Sequence, residues 1–133
     1  MPVSIHKLED APIVVSHAIQ DDTDVIEHTI AVNAAIAAVL DQQTEKVFLI
    51  MDLRDISLEF GDLIQVATLS ARGPDNLLHH PNIRENLFVL RDGLLRMAVK
   101  GLDNVMFGLL QTRTFDTVEE AVSYCREKLA SKV

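Results

Sequence analysis

The side chains in this chain with chemistry to offer are carboxylates at the ends of apolar runs, five histidines and one cysteine. Asp52 closes the run Val47 to Met51, and Asp21 and Asp22 follow the run Ile13 to Ile19. Ligands of open α/β sheets gather at the carboxyl ends of strands, so these acids stand where acid–base or metal-assisted chemistry is built. The same short acids also cap helices and start turns by accepting from free backbone amides, and we adopt that reading for all three. His79 and His80 are adjacent and diverge in most backbone conformations, while His6, His17 and His28 fall on two strands and a helix. No third ligand has usable spacing, so no metal set is expected. Cys125 lies on the apolar stripe of the last helix, where a buried, inert thiol is expected. Phosphate-cradling glycine loops (GxGxxG, GxxxxGK[ST]) and GxSxG elbows are absent. No catalytic set and no cofactor follow from these residues.

The bulk properties bound the answer further. A chain of 133 residues with 48% hydrophobic content fits one domain, 1–133, able to bury a core without metal or disulfide. The lone cysteine fits a reducing compartment. The net charge is −8, from 20 acidic against 12 basic residues, which disfavours nucleic acid and anionic membrane as partners. Ser4, His6 and Lys7 interrupt the first apolar positions, so no signal peptide is expected, and Ala31 to Leu40 is too short to span a bilayer. A cytoplasmic protein is the expectation.

Positioning these residues requires a specific order of elements. Val3 to Leu8 starts with strand alternation, Glu9 to Pro12 is a turn, and the β-branched run Ile13 to Ile19 follows at hairpin distance. Asp24 and Glu27 have capping-box spacing at the start of a helix reaching about Gln42, with Val25, Ile26, Ile30, Ile36, Val39 and Leu40 as its apolar stripe. Val47 to Met51 reads as a strand covered on both faces. Leu63 to Leu69 is helical in pattern, Leu87 to Leu90 a short strand, Leu94 to Val99 helical, and Val105 to Leu110 a final strand. Asp116 and Glu119 then suit the start of a last helix with the stripe Val118, Ala121, Val122, Cys125 and Leu129. The order β-β-α-β-α-β-α-β-α predicts an α/β domain with a mixed, mostly parallel sheet led by an antiparallel hairpin.

Other site chemistries fit less well. Three acids at one sheet edge are the magnesium-binding arrangement of phosphoacceptor receiver domains. Here an extra strand precedes the acidic pair, and Gln111, Thr112 and Arg113 follow the last strand where those domains carry a Lys. The arginines (54, 72, 84, 91, 96, 113 and 126) are dispersed among acids and read as solvated surface. The five phenylalanines read as core and staple residues rather than a platform for bases.

The element order, and the segment Val47-Phe-Leu-Ile-Met-Asp-Leu-Arg-Asp-Ile-Ser-Leu-Glu-Phe-Gly-Asp-Leu63, resemble the STAS domain of anti-sigma factor antagonists, the SpoIIAA-like fold. Phe115-Asp116-Thr117-Val118-Glu119-Glu120-Ala121 is similar to the start of the last helix in such proteins. In that family a buried strand ending in Asp-Leu or Asn-Leu leads to an Asp-Ser-Ser-Gly turn, whose serine is phosphorylated to switch partner binding. This chain carries Glu59-Phe60-Gly61-Asp62 at that turn, with no hydroxyl at the acceptor position.

The resemblance therefore implies a non-enzymatic regulatory or protein-interaction module that is not switched by phosphorylation there. Its contact turn is Glu59, Phe60, Gly61, Asp62 and Leu63, and its partner is another protein or a second copy. The alternative is a small-molecule or lipid binder with an apolar pocket beside the sheet and the loop Gly73 to Asn82 as cover. An enzyme using Asp52 with His79 or His80 requires those side chains to converge in a cleft.

Overall fold

The computed structural model describes residues 3–19, 24–56, 62, 65–66, 69, 77–91 and 112–130. Strand β1 (Val3–Lys7) pairs antiparallel with β2 (Ile13–Ala18), Val3 opposite Ala18 and Lys7 opposite Val14. The turn between them is closed by the Leu8 amide donating to the Ile13 carbonyl at 2.9 Å. The Lys7 ammonium also bends back to the carbonyls of Leu8 and Ala11, at 3.1 and 3.3 Å. Helix α1 (Val25–Asp41) follows, then β3 (Val47–Asp52), a single 3₁₀ turn (Leu77–His79), β4 (Ile83–Val89), β5 (Thr112–Phe115) and helix α2 (Val118–Ala130). The sheet runs β1-β2-β3-β4-β5, with the hairpin pair antiparallel and every other pair parallel. The mixed, hairpin-led α/β sheet expected from the sequence is therefore present.

Period-two alternation divides the core into two layers. Val47, Leu49 and Met51 point to one face, where they pack with Val32, Ile36 and Leu40 of α1 and with Leu77 and Leu78. Phe48 and Ile50 point to the other, against Ala121 and Cys125 of α2. All six residues of β3 are buried, which is why its run is continuous rather than alternating. Removing such a side chain, as in Phe48→Ala, costs about 3–5 kcal/mol through lost burial and the cavity left behind.

Helices α1 and α2 begin on side-chain caps. Asp24 accepts from the amides of Ile26 and Glu27, at 3.1 and 3.4 Å, as its spacing predicts. On α2 the cap is Thr117, whose hydroxyl accepts from the Glu120 amide at 3.1 Å, so the cap stands one residue later than Asp116. The far end of α1 is capped from a distant segment. Asn82 Nδ2 donates to the Leu40 carbonyl at 2.8 Å, adding a second donor to an oxygen that also accepts from the Gln43 amide at 3.1 Å.

Four expectations change. The buried face of α1 is Thr29, Val32, Asn33, Ile36 and Leu40, whereas Ile30 is 43% exposed. Thr29 can occupy that face because its hydroxyl donates to the Val25 carbonyl at 2.8 Å, removing the penalty for burying it. Strand β4 begins at Ile83, not Leu87, because its polar half finds partners on the sheet face. The Arg84 guanidinium lies 4.8 Å from the Phe48 ring centre, and Glu85 accepts from the Tyr124 hydroxyl at 2.8 Å. Strand β5 is Thr112–Phe115, in the stretch that follows the expected last strand, its register set by pairing with β4 from Asn86 to Val89. The described part of the proposed cover loop is anchored: Leu77 and Leu78 are buried in the core. The expected strand 105–110 and helix 94–99 lie outside the described residues. Of the expected helix 63–69, positions 65, 66 and 69 are described and are helical, as is Asp62.

Candidate functional site at the carboxyl edge of the sheet

Ser4, His17, Asp52, Val89 and Phe115 form one register row across the five strands. The row lies at the carboxyl ends of the parallel strands, where open α/β sheets place ligands. His17 and Asp52 are direct neighbours in it, on adjacent strands about 4.8 Å apart. Alternation puts Asp52 on the face of Phe48 and Ile50, beneath the layer of α2.

Asp52 is buried, with 5% of its surface exposed, and Arg54 closes over it. Arg54 Nε donates to Oδ1 and Nη2 to Oδ2, each at 2.9 Å, and the Arg54 amide donates to Oδ1 at 3.1 Å. Burial pushes the Asp52 carboxyl up, but the Arg54 side-chain and backbone hydrogen bonds and its charge together hold it below the usual carboxylate range. The Arg54 guanidinium is raised in turn, first by its bonds to Asp52, with Glu119 of α2 and Asp55 also favouring its charge. Beside this clamp, His17 Nε2 lies 2.5 Å from Asp55 Oδ2, in a pair open to solvent. Exposed pairs of this kind contribute about 0–1 kcal/mol. The turn expected at Asp52 is present, built by its carboxylate on the amide two residues on.

A carboxylate whose two oxygens both accept from a guanidinium is a poor proton acceptor. The edge thus presents an oriented, compensated ion pair, Arg54 over Asp52, beside the hydrogen-bonded pair of His17 and Asp55. Of the expected contact turn, Asp62 is helical and half-buried, while Glu59, Phe60, Gly61 and Leu63 lie outside the described residues, as do Asp21 and Asp22.

The structure separates Asp52 from the histidine pair. His80 precedes β4 at the opposite edge, the length of β3 away, roughly 20 Å. Its Nδ1 accepts from the Asn82 amide at 3.1 Å and its Nε2 lies 2.7 Å from Asp41 Oδ1, at the end of α1. His80 is therefore a buttress between α1 and β4 rather than a solvated turn residue, while His79 is exposed. Among the described residues no three His, Cys, Asp or Glu side chains gather as metal ligands.

Two of the arginines read as solvated surface also cover aromatic rings, Arg113 while remaining exposed. Arg84 lies over Phe48, and Arg113 lies 5.0 Å from the centre of Tyr124. The signal for Arg54 was present in the sequence as Asp-x-Arg at a strand end, a spacing that closes a bidentate pair within one turn. His17 carried no comparable local signal, because its partner Asp55 comes from another strand's extension. Cys125 is fully buried, and burial raises its thiol to about 12, in line with the inert reading.

No helix among the described residues is long and apolar enough to cross a membrane. No protein-family model matches the chain, and no curated protein matches it. Among solved structures, it is similar to an uncharacterized protein of the DUF3478 family, with a SpoIIAA-like fold, from Shewanella loihica PV-4. The identity is 12%, over 92% of this chain and 91% of that chain, with a TM-score of 0.50. Together with the hairpin-led mixed sheet and its two helical layers, this likeness gives the chain a SpoIIAA-like α/β fold.

Proposed function

We propose that this chain is a non-enzymatic, cytoplasmic regulatory or protein-interaction module. It meets a protein partner through the carboxyl edge of its sheet, with Glu59 to Leu63 as the contact turn and no phosphorylation switch there. The observation that carries this reading is the Asp52–Arg54 clamp. It spends the edge's buried carboxylate on structure and leaves an exposed, oriented charge pattern beside it, which suits recognition better than proton transfer. A pull-down comparing wild type, Asp55→Arg and Asp62→Arg tests it. Loss of the partner in either variant, with the fold intact, supports the edge, and unchanged capture in both counts against it.

A second reading, a binder of a small molecule or lipid, is favoured by one observation. Asn86 is 3% exposed and its Nδ2 donates to the Leu78 carbonyl at 3.0 Å, but its Oδ1 is buried without a hydrogen-bond partner. An orphaned acceptor in a core suits a ligand or water that brings a donor. Native mass spectrometry of the purified protein distinguishes the readings: a bound small molecule favours the pocket, and a bare chain favours the interaction module.

A further inference from the structure

Among the described residues, strand β1 is the end strand of the sheet and pairs on one side only. The Leu8 amide donates to the Ile13 carbonyl, and this fixes the alternation of the ladder. Residues in phase with Leu8, namely Ser4 and His6, turn their backbone groups toward β2. Val3, Ile5 and Lys7 turn theirs outward, where no strand among the described residues pairs with them. Bare edges of this kind are normally guarded by an outward charge or a proline. The one lysine on this edge does not guard it, because its ammonium is folded back onto the carbonyls of Leu8 and Ala11.

We infer that the outer edge of β1 is a self-association surface, and that its occupant is β1 of a second copy, antiparallel across a two-fold axis at Ile5. Centring the axis there sets Ile5 against Ile5 of the other copy and Val3 against Lys7, so all three outward residues exchange backbone hydrogen bonds at once. The strand suits its own copy for three reasons. Val3-Ser-Ile-His-Lys7 contains no carboxylate, so the chain's net charge of −8 is not concentrated at the contact. No like charges oppose each other, since Lys7 meets Val3 and His6 meets Ser4. The two Ile5 side chains, each half-buried against the α1 layer, also become cross-strand neighbours on one face and cover each other. The result is one continuous sheet through both copies. This surface is separate from the Asp52–Arg54 clamp on β3, so it stands or falls independently of the function proposed above.

Sedimentation equilibrium of the full chain, at concentrations up to about 100 μM, tests the inference. Wild type is expected to dimerise. Lys7→Pro removes an outward donor, which edge strands tolerate, and Ile5→Lys sets like charges across the axis; each is expected to weaken the dimer about ten-fold or more. A wild type that stays monomeric overturns the inference, as does a dimer that both folded variants leave unchanged. If the variants fail to fold, hydrogen exchange on wild type decides. The amides of Val3, Ile5 and Lys7 must gain protection with concentration, and concentration-independent exchange there overturns it.

Discussion

Asp52 and Arg54, two residues apart at the end of β3, form a two-point ion pair in which the acid is buried and the base covers it. Among the described strands β3 is the middle one, so this pair closes the turn at the end of the most enclosed strand of the sheet. Removing one partner leaves the other charge uncompensated. Arg54→Ala is expected to destabilise the fold by about 3 kcal/mol, more than Asp52→Asn, which removes the charge itself. Urea unfolding of the two variants checks the order.

The same pair sets the acid side of the stability profile. The Asp52 carboxyl is held low in the folded chain, so its contribution is present above the unfolded carboxylate range and is lost as pH falls through the folded value. Stability is therefore expected to decline below about pH 4, and to decline less steeply in Asp52→Asn. Urea midpoints measured at successive pH values test this, and identical acid limbs in the two proteins contradict it.

Tyr124 is the only tyrosine, so its ionisation can be read directly by absorbance. Burial, and then its hydrogen bond to Glu85, raise its phenol above 10.0, outweighing the nearby Arg113. The phenolate band is expected at higher pH than in the unfolded chain. The linked stability is full below the unfolded value and is lost as pH rises through the folded one. Glu85→Gln is expected to shift the band back toward ordinary tyrosine.

Cys125 is buried, with its thiol raised to about 12 by desolvation. Alkylation at neutral pH is expected to be roughly 100-fold or more slower than for a free thiol, and to recover that rate in denaturant. Cys125→Ser, which buries a hydroxyl in place of the thiol, is expected to cost about 1–3 kcal/mol.

The two isoleucines of α1 that the sequence pattern placed on one stripe behave differently in the structure. Ile36 is 1% exposed and Ile30 is 43% exposed. Ile36→Ala is expected to lower stability by about 2–5 kcal/mol, and Ile30→Ala by less than about 1 kcal/mol. Equal losses in thermal or urea unfolding contradict this assignment of faces.

Local rules, read from the sequence alone, determined much of this molecule. Period-two alternation and β-branched runs placed β1, β2 and β3, and the Asp24–Glu27 spacing placed the start of α1, because each depends on neighbours a few residues away. The Cys125 reading held for the same reason, since a helical stripe is a local pattern. The polar half of β4 was not legible: Arg84 and Glu85 are stabilised by Phe48 and Tyr124, which reach them only through the sheet and α2. The rotation of α1 was hidden too, because the buried arc of a helix is set by the sheet it crosses. At the candidate site, Asp52 was visible as the end of a buried strand, and its clamp lay two residues away. Its union with His17 and Asp55 was decided by the parallel register of β2 on β3, a pairing between segments that only the folded sheet brings together.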